Sequence, residues 1–204
     1  MIRHLFKLIW NQKRKYLGLS IEMFFSFLVL FAVFTFGIFN LQRYVEPLGF
    51  EYDDVWDLSL DAKGDTGKLF FETLRLVEQH LENYPEVVSV SSSYSNVPFG
   101  MSTNTTVLKH GEVSLSADVY RVGEDHFEVL DLKPIQGRFF GPEDDGAGLE
   151  SVVITESMAK AFFGEETAVG EVIEGSGEEK LRVIGLAPAG RFRGEFSEKR
   201  HGFF

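Results

Sequence analysis

The sequence predicts an α+β protein in which one N-terminal transmembrane helix precedes a mixed α/β extracytoplasmic domain of one lobe or two. Three observations carry that expectation. Leu17 to Leu41 contains a single ionisable side chain, Glu22. Beyond it, short apolar runs of period two are interspersed with segments of period 3.6. They do not alternate strictly, which favours α+β over a doubly wound sheet.

Charge divides as sharply as hydropathy. Residues 1–16 carry Arg3, Lys7, Lys13, Arg14 and Lys15 with no acid, whereas residues 42–204 hold 15 basic and 30 acidic side chains. The formal charge of −11 over 204 residues excludes a basic nucleic-acid binder. With 44% hydrophobic and 14% aromatic residues the chain can bury a core. The absence of cysteine removes disulfides, thiolate zinc sites and thiol nucleophiles.

The arm, residues 1–16, places Ile2, Leu5, Phe6 and Ile9 at i, i+3, i+4 and i+7. That spacing suits an amphipathic helix on the inner leaflet, and a flank that only sets topology fits equally well. Residues 17–41 follow as the span. A helix of that length measures about 37 Å, more than the roughly 30 Å of hydrocarbon. The stretch is too long for the apolar region of a signal peptide, and FNLQRYVEP after it offers no small-x-small cleavage site. Seven phenylalanines in the span outweigh the one glutamate. The positive-inside rule puts the arm in the cytoplasm and residues 42–204 outside it. Glu22 lies near the basic flank, where it can reach the interface or Lys15; the sharper reading pairs it with a polar group on another membrane helix.

Pro47 and Gly49 end the helix, and VWDLSLD, residues 55–61, alternates as a strand. Residues 66–84 place Leu69, Phe70, Thr73, Leu74, Val77 and Leu81 on one helical face. VVSVSSSYS from Val87 reads as a strand, and residues 103–122 as two strands joined near His110 and Gly111. EDHFEVLDL is a short helix and GRFFGPEDDGAGLE a loop. Ser151 to Thr155 reads as a buried strand entering the helix ESMAKAFFG, closed by Gly164. Residues 170–174 and 180–186 complete the strands.

Catalytic patterns fail on inspection. GDTGK, residues 64–68, lacks the first glycine and the hydroxyl of a phosphate loop, so a turn capping a helix is expected. Glu143, Asp144 and Asp145 lack the spacing of a calcium loop. The five histidines are scattered. No catalytic residue, metal site or cofactor is expected.

From Ala117 onward the chain resembles the periplasmic core domain of MacB/FtsX-type ABC transporter permeases. Phe127, Val129, Leu130 and Leu132 match its V-x-x-D/E-x-F-x-V-L-x-L segment, and Gly137, Arg138 and Phe140 match G-R-x-F. Val152, Val153, Ile154, Glu156, Ala159, Phe163 and Gly164 match V-V-I-N-E-x-x-A-x-x-x-F-G, with Thr155 in place of asparagine. Gly170, Ile173, Val183 and Gly185 follow in order. Residues 42–116 match only in layout. Gly137 and Gly170 fall where turns want positive φ, and Arg138 has a carboxylate of the following acidic loop or solvent as its partner.

The resemblance implies a non-enzymatic permease subunit, or its N-terminal part, in the bacterial inner membrane. Its implied partners are the lipid bilayer, a separate cytoplasmic ATPase, further permease helices or a second copy, and periplasmic proteins. The role is export or mechanotransmission by conformational coupling. The arm and Glu22 are the candidate contact residues. Family permeases continue through more membrane helices, so an N-terminal fragment is expected. A single-pass anchored sensor or binding protein is the alternative.

Overall fold

The computed structural model describes residues 13–60, 67–100, 103–144, 146, 148–177 and 179–204. The chain divides into two compact units, Met1–Glu46 and Pro47–Phe204. In the first, helix α1 runs over Lys13–Val45. Its apolar segment Leu17–Val45, 29 residues, is long enough to cross a bilayer. The helix passes the expected end at Leu41 because nothing before Pro47 breaks it. Arg43 in its last turn complements the helix dipole and lies 4.4 Å from the Phe39 ring centroid. The expected apolar stripe of the arm lies outside the described residues.

In the second unit, helix α2 covers Lys68–Glu82, opening after Gly67 and ending at Asn83. Phe70, Leu74, Val77 and Leu81 are half-buried, whereas Leu69 and Thr73, assigned from sequence to the same face, are exposed. Most of the phosphate-loop decoy falls outside the described residues. The expected strands at Val55 and Val87 are corrected. Residues 55–60 join no ladder, and from 87–95 there is one isolated bridge, Ser93 to Val122. Trp56 and Val88 are 85% and 95% exposed. Alternation says which side chains share a face, but a strand also needs a neighbour to hydrogen-bond.

The remainder forms a small barrel. β1 (Thr105–His110) and β2 (Val113–Val119) are an antiparallel hairpin turned at Gly111 and Glu112. After the short helix α3 (His126–Val129) come β3 (Gln136–Gly137), β4 (Glu150–Thr155) and helix α4 (Glu156–Phe163). Then follow β5 (Val172–Glu174), β6 (Lys180–Ala187) and β7 (Gly202–Phe203). The order is β3-β6-β4-β7-β2-β1-β5, and β5 returns to pair with β6, closing a ring and removing exposed edges. β4 and β6 are parallel, with a bulge between Val152 and Val153.

Two apolar clusters lie on opposite sides of the strands. Leu108, Ala117, Val152, Ile154, Ile173, Leu181 and Val183 form one with Met158, Ala159 and Phe162 of α4. Phe127, Leu130, Leu132, Val153, Ile184, Phe192 and Phe204 form the other, joined by Leu48 and Phe50. The alternation of β4 and β6 sends adjacent side chains to different clusters. Gly164 closes α4 with φ +63° and Gly170 turns with φ +98°; Gly137, expected at a turn, has the positive φ of +71° but lies in β3, opposite Gly185.

Candidate functional site

Four of the candidate contact residues, Lys13, Arg14, Lys15 and Glu22, lie along one helix. Lys13, Arg14 and Lys15 form the first turn of α1, while Arg3 and Lys7 lie outside the described residues. Glu22 is exposed on α1, within the apolar segment.

The outer domain carries a charged network that sequence reasoning missed. Asp118 of β2 is 2% exposed and takes two arginines from the segment after β6. Arg193 Nη2 donates to both its carboxylate oxygens at 3.1 and 3.3 Å. Arg200 Nε lies 3.2 Å from Oδ2. The clamp fastens the arm that delivers β7. Asp118 N–H donates to His201 O at 2.8 Å, Tyr120 N–H to Phe203 O at 2.8 Å, and Gly202 N–H to Thr155 Oγ1 at 3.1 Å. Thr155, the departure from the motif's asparagine, thus helps seat the strand that closes the ring. Burial, then the Asp118 charge, pushes the Tyr120 hydroxyl well up. The sequence signal was an acid between the apolar residues of ADVY; its partners are 75 or more residues away and could not be read.

A second set of charges rims a cleft of about 540 Å³ beside β4 and β6, lined by Arg138, Glu143, Asp144, Ser151 and Arg182. Arg138 is bidentate on Asp144, with Nη1 to Oδ2 at 2.5 Å and Nη2 to Oδ1 at 2.9 Å. Of the two partners open to Arg138 in the sequence, the acidic loop is the one it takes. Gly141 N–H and Ser151 Oγ donate to the same carboxylate at 3.0 and 2.8 Å. These bonds, that from Arg138 first, hold Asp144 well below the usual carboxylate range. Every lone pair of Asp144 that faces the loop is engaged in holding it, so the arrangement is a brace rather than a general base. Among the described residues no group of three or more His, Asp or Glu side chains is placed to hold a metal ion.

His126 and Glu150 report on pH. Burial pushes the His126 imidazole down from 6.5 to about 4, among Phe127 and Phe204. Its folded value lies below its unfolded one, so the stability it contributes is present above pH 6.5 and is lost as pH falls toward 4. The loss is about 3 kcal/mol at the low end. The difference in unfolding free energy between the protein and His126→Gln, from urea titrations at pH 7 and pH 4, is expected to shrink by that order; an unchanged difference would count against a neutral buried ring. Glu150 is raised, by burial and then by a hydrogen bond with Glu179. Its contribution therefore favours the fold at low pH and fades as pH rises.

The family model of the MacB-like periplasmic core domain matches residues 23–201. The Macrolide export ATP-binding/permease protein MacB 1/2 of Paracoccus denitrificans (strain Pd 1222) is 38% identical over 109 residues, 53% of this chain and 15% of that protein. MacB of Vibrio parahaemolyticus serotype O3:K6 is 29% identical over 106 residues, 52% of this chain and again 15% of the relative. The matched part of the chain thus spans about 15% of the length of these curated relatives. Among solved structures, the periplasmic region of MacB from Actinobacillus actinomycetemcomitans aligns with TM-score 0.47 and 24% identity, covering 62% of this chain and 51% of that one. The extracellular domain of the ABC-type transporter YknZ from Gram-positive bacteria aligns with TM-score 0.45 and 18% identity, covering 61% and 57%. With the family model covering the greater part of its length, from within the apolar helix to the residue before the closing strand, the chain belongs to the MacB-like periplasmic core domain family.

Proposed function

We propose that this chain is the membrane-anchored outer part of an ABC transporter permease subunit working in the bacterial inner membrane. In this reading α1 crosses the bilayer, residues 1–16 lie on the cytoplasmic leaflet, and residues 42–204 lie outside. An ATPase in a separate subunit or domain supplies the stroke. Further permease helices or a second copy receive it together with α1, and the outer domain passes the change on to substrate or to periplasmic proteins during export. Coupling of this kind needs a domain that moves as a body, and a closed ring tied by the Asp118 clamp is suited to that. Arg3, Lys7, Lys13, Arg14 and Lys15 hold the inner surface, and Glu22 meets a neighbouring helix.

The observation that carries the reading is the charge asymmetry about the span, five bases before it against 15 bases and 30 acids after it, within a chain of this family. Because the chain has no cysteine, orientation can be read with single thiols. Glu165→Cys, at an exposed position after α4, is expected to react with a membrane-impermeant maleimide on intact cells. Gln12→Cys is expected to react only after permeabilisation. The reverse pattern would overturn the orientation and the export role that depends on it.

A further inference from the structure

On one face of β4 and β6, Val153 and Ile184 share the apolar cluster of Phe127, with Phe139 and Phe140 packed against it. Nearer the start of both strands, alternation brings Ser151 and its ladder partner Arg182 to the same face. There the aromatic cover ends and the cleft of about 540 Å³ opens, with Ser151 and Arg182 in its lining. Leu149 and Ile184 supply its apolar wall, and Arg138, Glu143 and Asp144 its charged rim. The rim is preformed, since Arg138, Gly141 N–H and Ser151 all hold Asp144.

The two arginines of the cleft differ in what they have left to give. Arg138 spends three N–H groups on Phe139 O and on both oxygens of Asp144, and Glu143 Oε1 lies 3.3 Å from its Nη1. Arg182 is exposed and has no acid partner among the described residues. From residue 42 onward acids outnumber bases by 30 to 15, yet this planar fork of five donors is left open on the cleft.

We propose that the cleft binds a small organic monocarboxylate, its carboxylate bidentate on Arg182 and its apolar body against Leu149 and Ile184. The volume of about 540 Å³ falls in the range of small-molecule pockets. A guanidinium fork matches carboxylate and phosphate alike, so the rim decides between them. Glu143 and Asp144 line the same cleft, and one free arginine balances one negative charge; a phosphate dianion is opposed where a monoanion is neutralised. The inference needs neither the span nor the orientation of α1, and its failure leaves the permease reading standing.

The test titrates 4-fluorobenzoate against the detergent-solubilised full chain and follows the width of its fluorine NMR line, with empty micelles as the blank. Saturable broadening is expected. Arg182→Gln should weaken binding about tenfold, the loss of one charge-assisted contact, and Arg182→Lys, which keeps the charge without the fork, should fall between. Arg75→Gln, at an exposed arginine of α2, should leave the affinity unchanged. Urea midpoints of the Arg182 variants are expected to match the parent, because no acid partner is lost. Should Arg182→Gln lower its midpoint, the smaller change in Arg182→Lys decides. Absence of saturable broadening, unchanged affinity in the Arg182 variants, or equal binding of the uncharged 4-fluorobenzamide would overturn the site. Displacement of the probe by inorganic phosphate as readily as by unlabelled benzoate, at equal ionic strength, would overturn the choice of a carboxylate.

Discussion

Gly185→Ala is expected to lower the stability of the outer domain by about 4 kcal/mol, in the range reserved for backbone strain and forced disruption. A Cβ at Gly185 would overlap Arg138 O and sit 3.0 Å from Arg138 C. Both neighbours are backbone, so no rotamer change relieves the contact. The clash falls where β3 pairs with β6, at Gly137 opposite Gly185. Gly137 is confined in the same way, its added Cβ overlapping Ile184 O. Relief therefore requires β3 to leave the sheet, taking Arg138 and its bonds to Asp144 with it. Gly148→Ala is the control, since nothing lies within 4 Å of its Cβ and its change should stay within about 0.5 kcal/mol. Urea midpoints by pulse proteolysis of the detergent-solubilised chain compare the two; equal midpoints would refute the close approach of β3 and β6.

Asp118→Ala is expected to cost about 3 kcal/mol, because it leaves two arginines without their buried counter-charge. The carboxylate side chain is 3% exposed, while the side chains of Arg193 and Arg200 are 32% and 42% exposed. Both guanidinium groups can turn toward water, which keeps the loss at the lower end for a broken buried pair. The arm carrying β7 then loses its charged anchor between Phe192, which stays in the apolar cluster, and the backbone bonds of residues 201–204, so cleavage by trypsin near Arg193 and Lys199 should accelerate. Replacing Asp118, Arg193 and Arg200 together by leucine should recover part of the loss, since no charge then remains unpaired. A change below about 1 kcal/mol for Asp118→Ala would show that the clamp behaves as a surface ion pair.

The elements legible in the sequence are those whose signal is local. The run from Leu17 to Leu41 is apolar enough to be read without a partner, and β4, α4 and Gly164 follow from a buried run, an amphipathic helix and a glycine cap. β3 and β7 were not legible. Each has two residues, too few for any period, and each exists because another strand offers it a place. The strands read at Val55 and Val87 failed for the opposite reason, as their alternation is genuine and no ladder receives them. The acidic loop could be named as one of two partners for Arg138 because Asp144 lies six residues away; no partner could be named for Asp118, because Arg193 is 75 residues distant.

By itself the sequence determined the apolar helix, the sign of charge on either side of it and the motifs that mark the family, since each is a property of neighbouring residues. Only the tertiary structure decided that a dipeptide near residue 202 closes the ring, that one buried carboxylate holds the arm delivering it, and that Arg138 braces its loop. Closure and clamping join residues far apart in the chain, and such pairings are set by where the backbone returns rather than by any pattern along it.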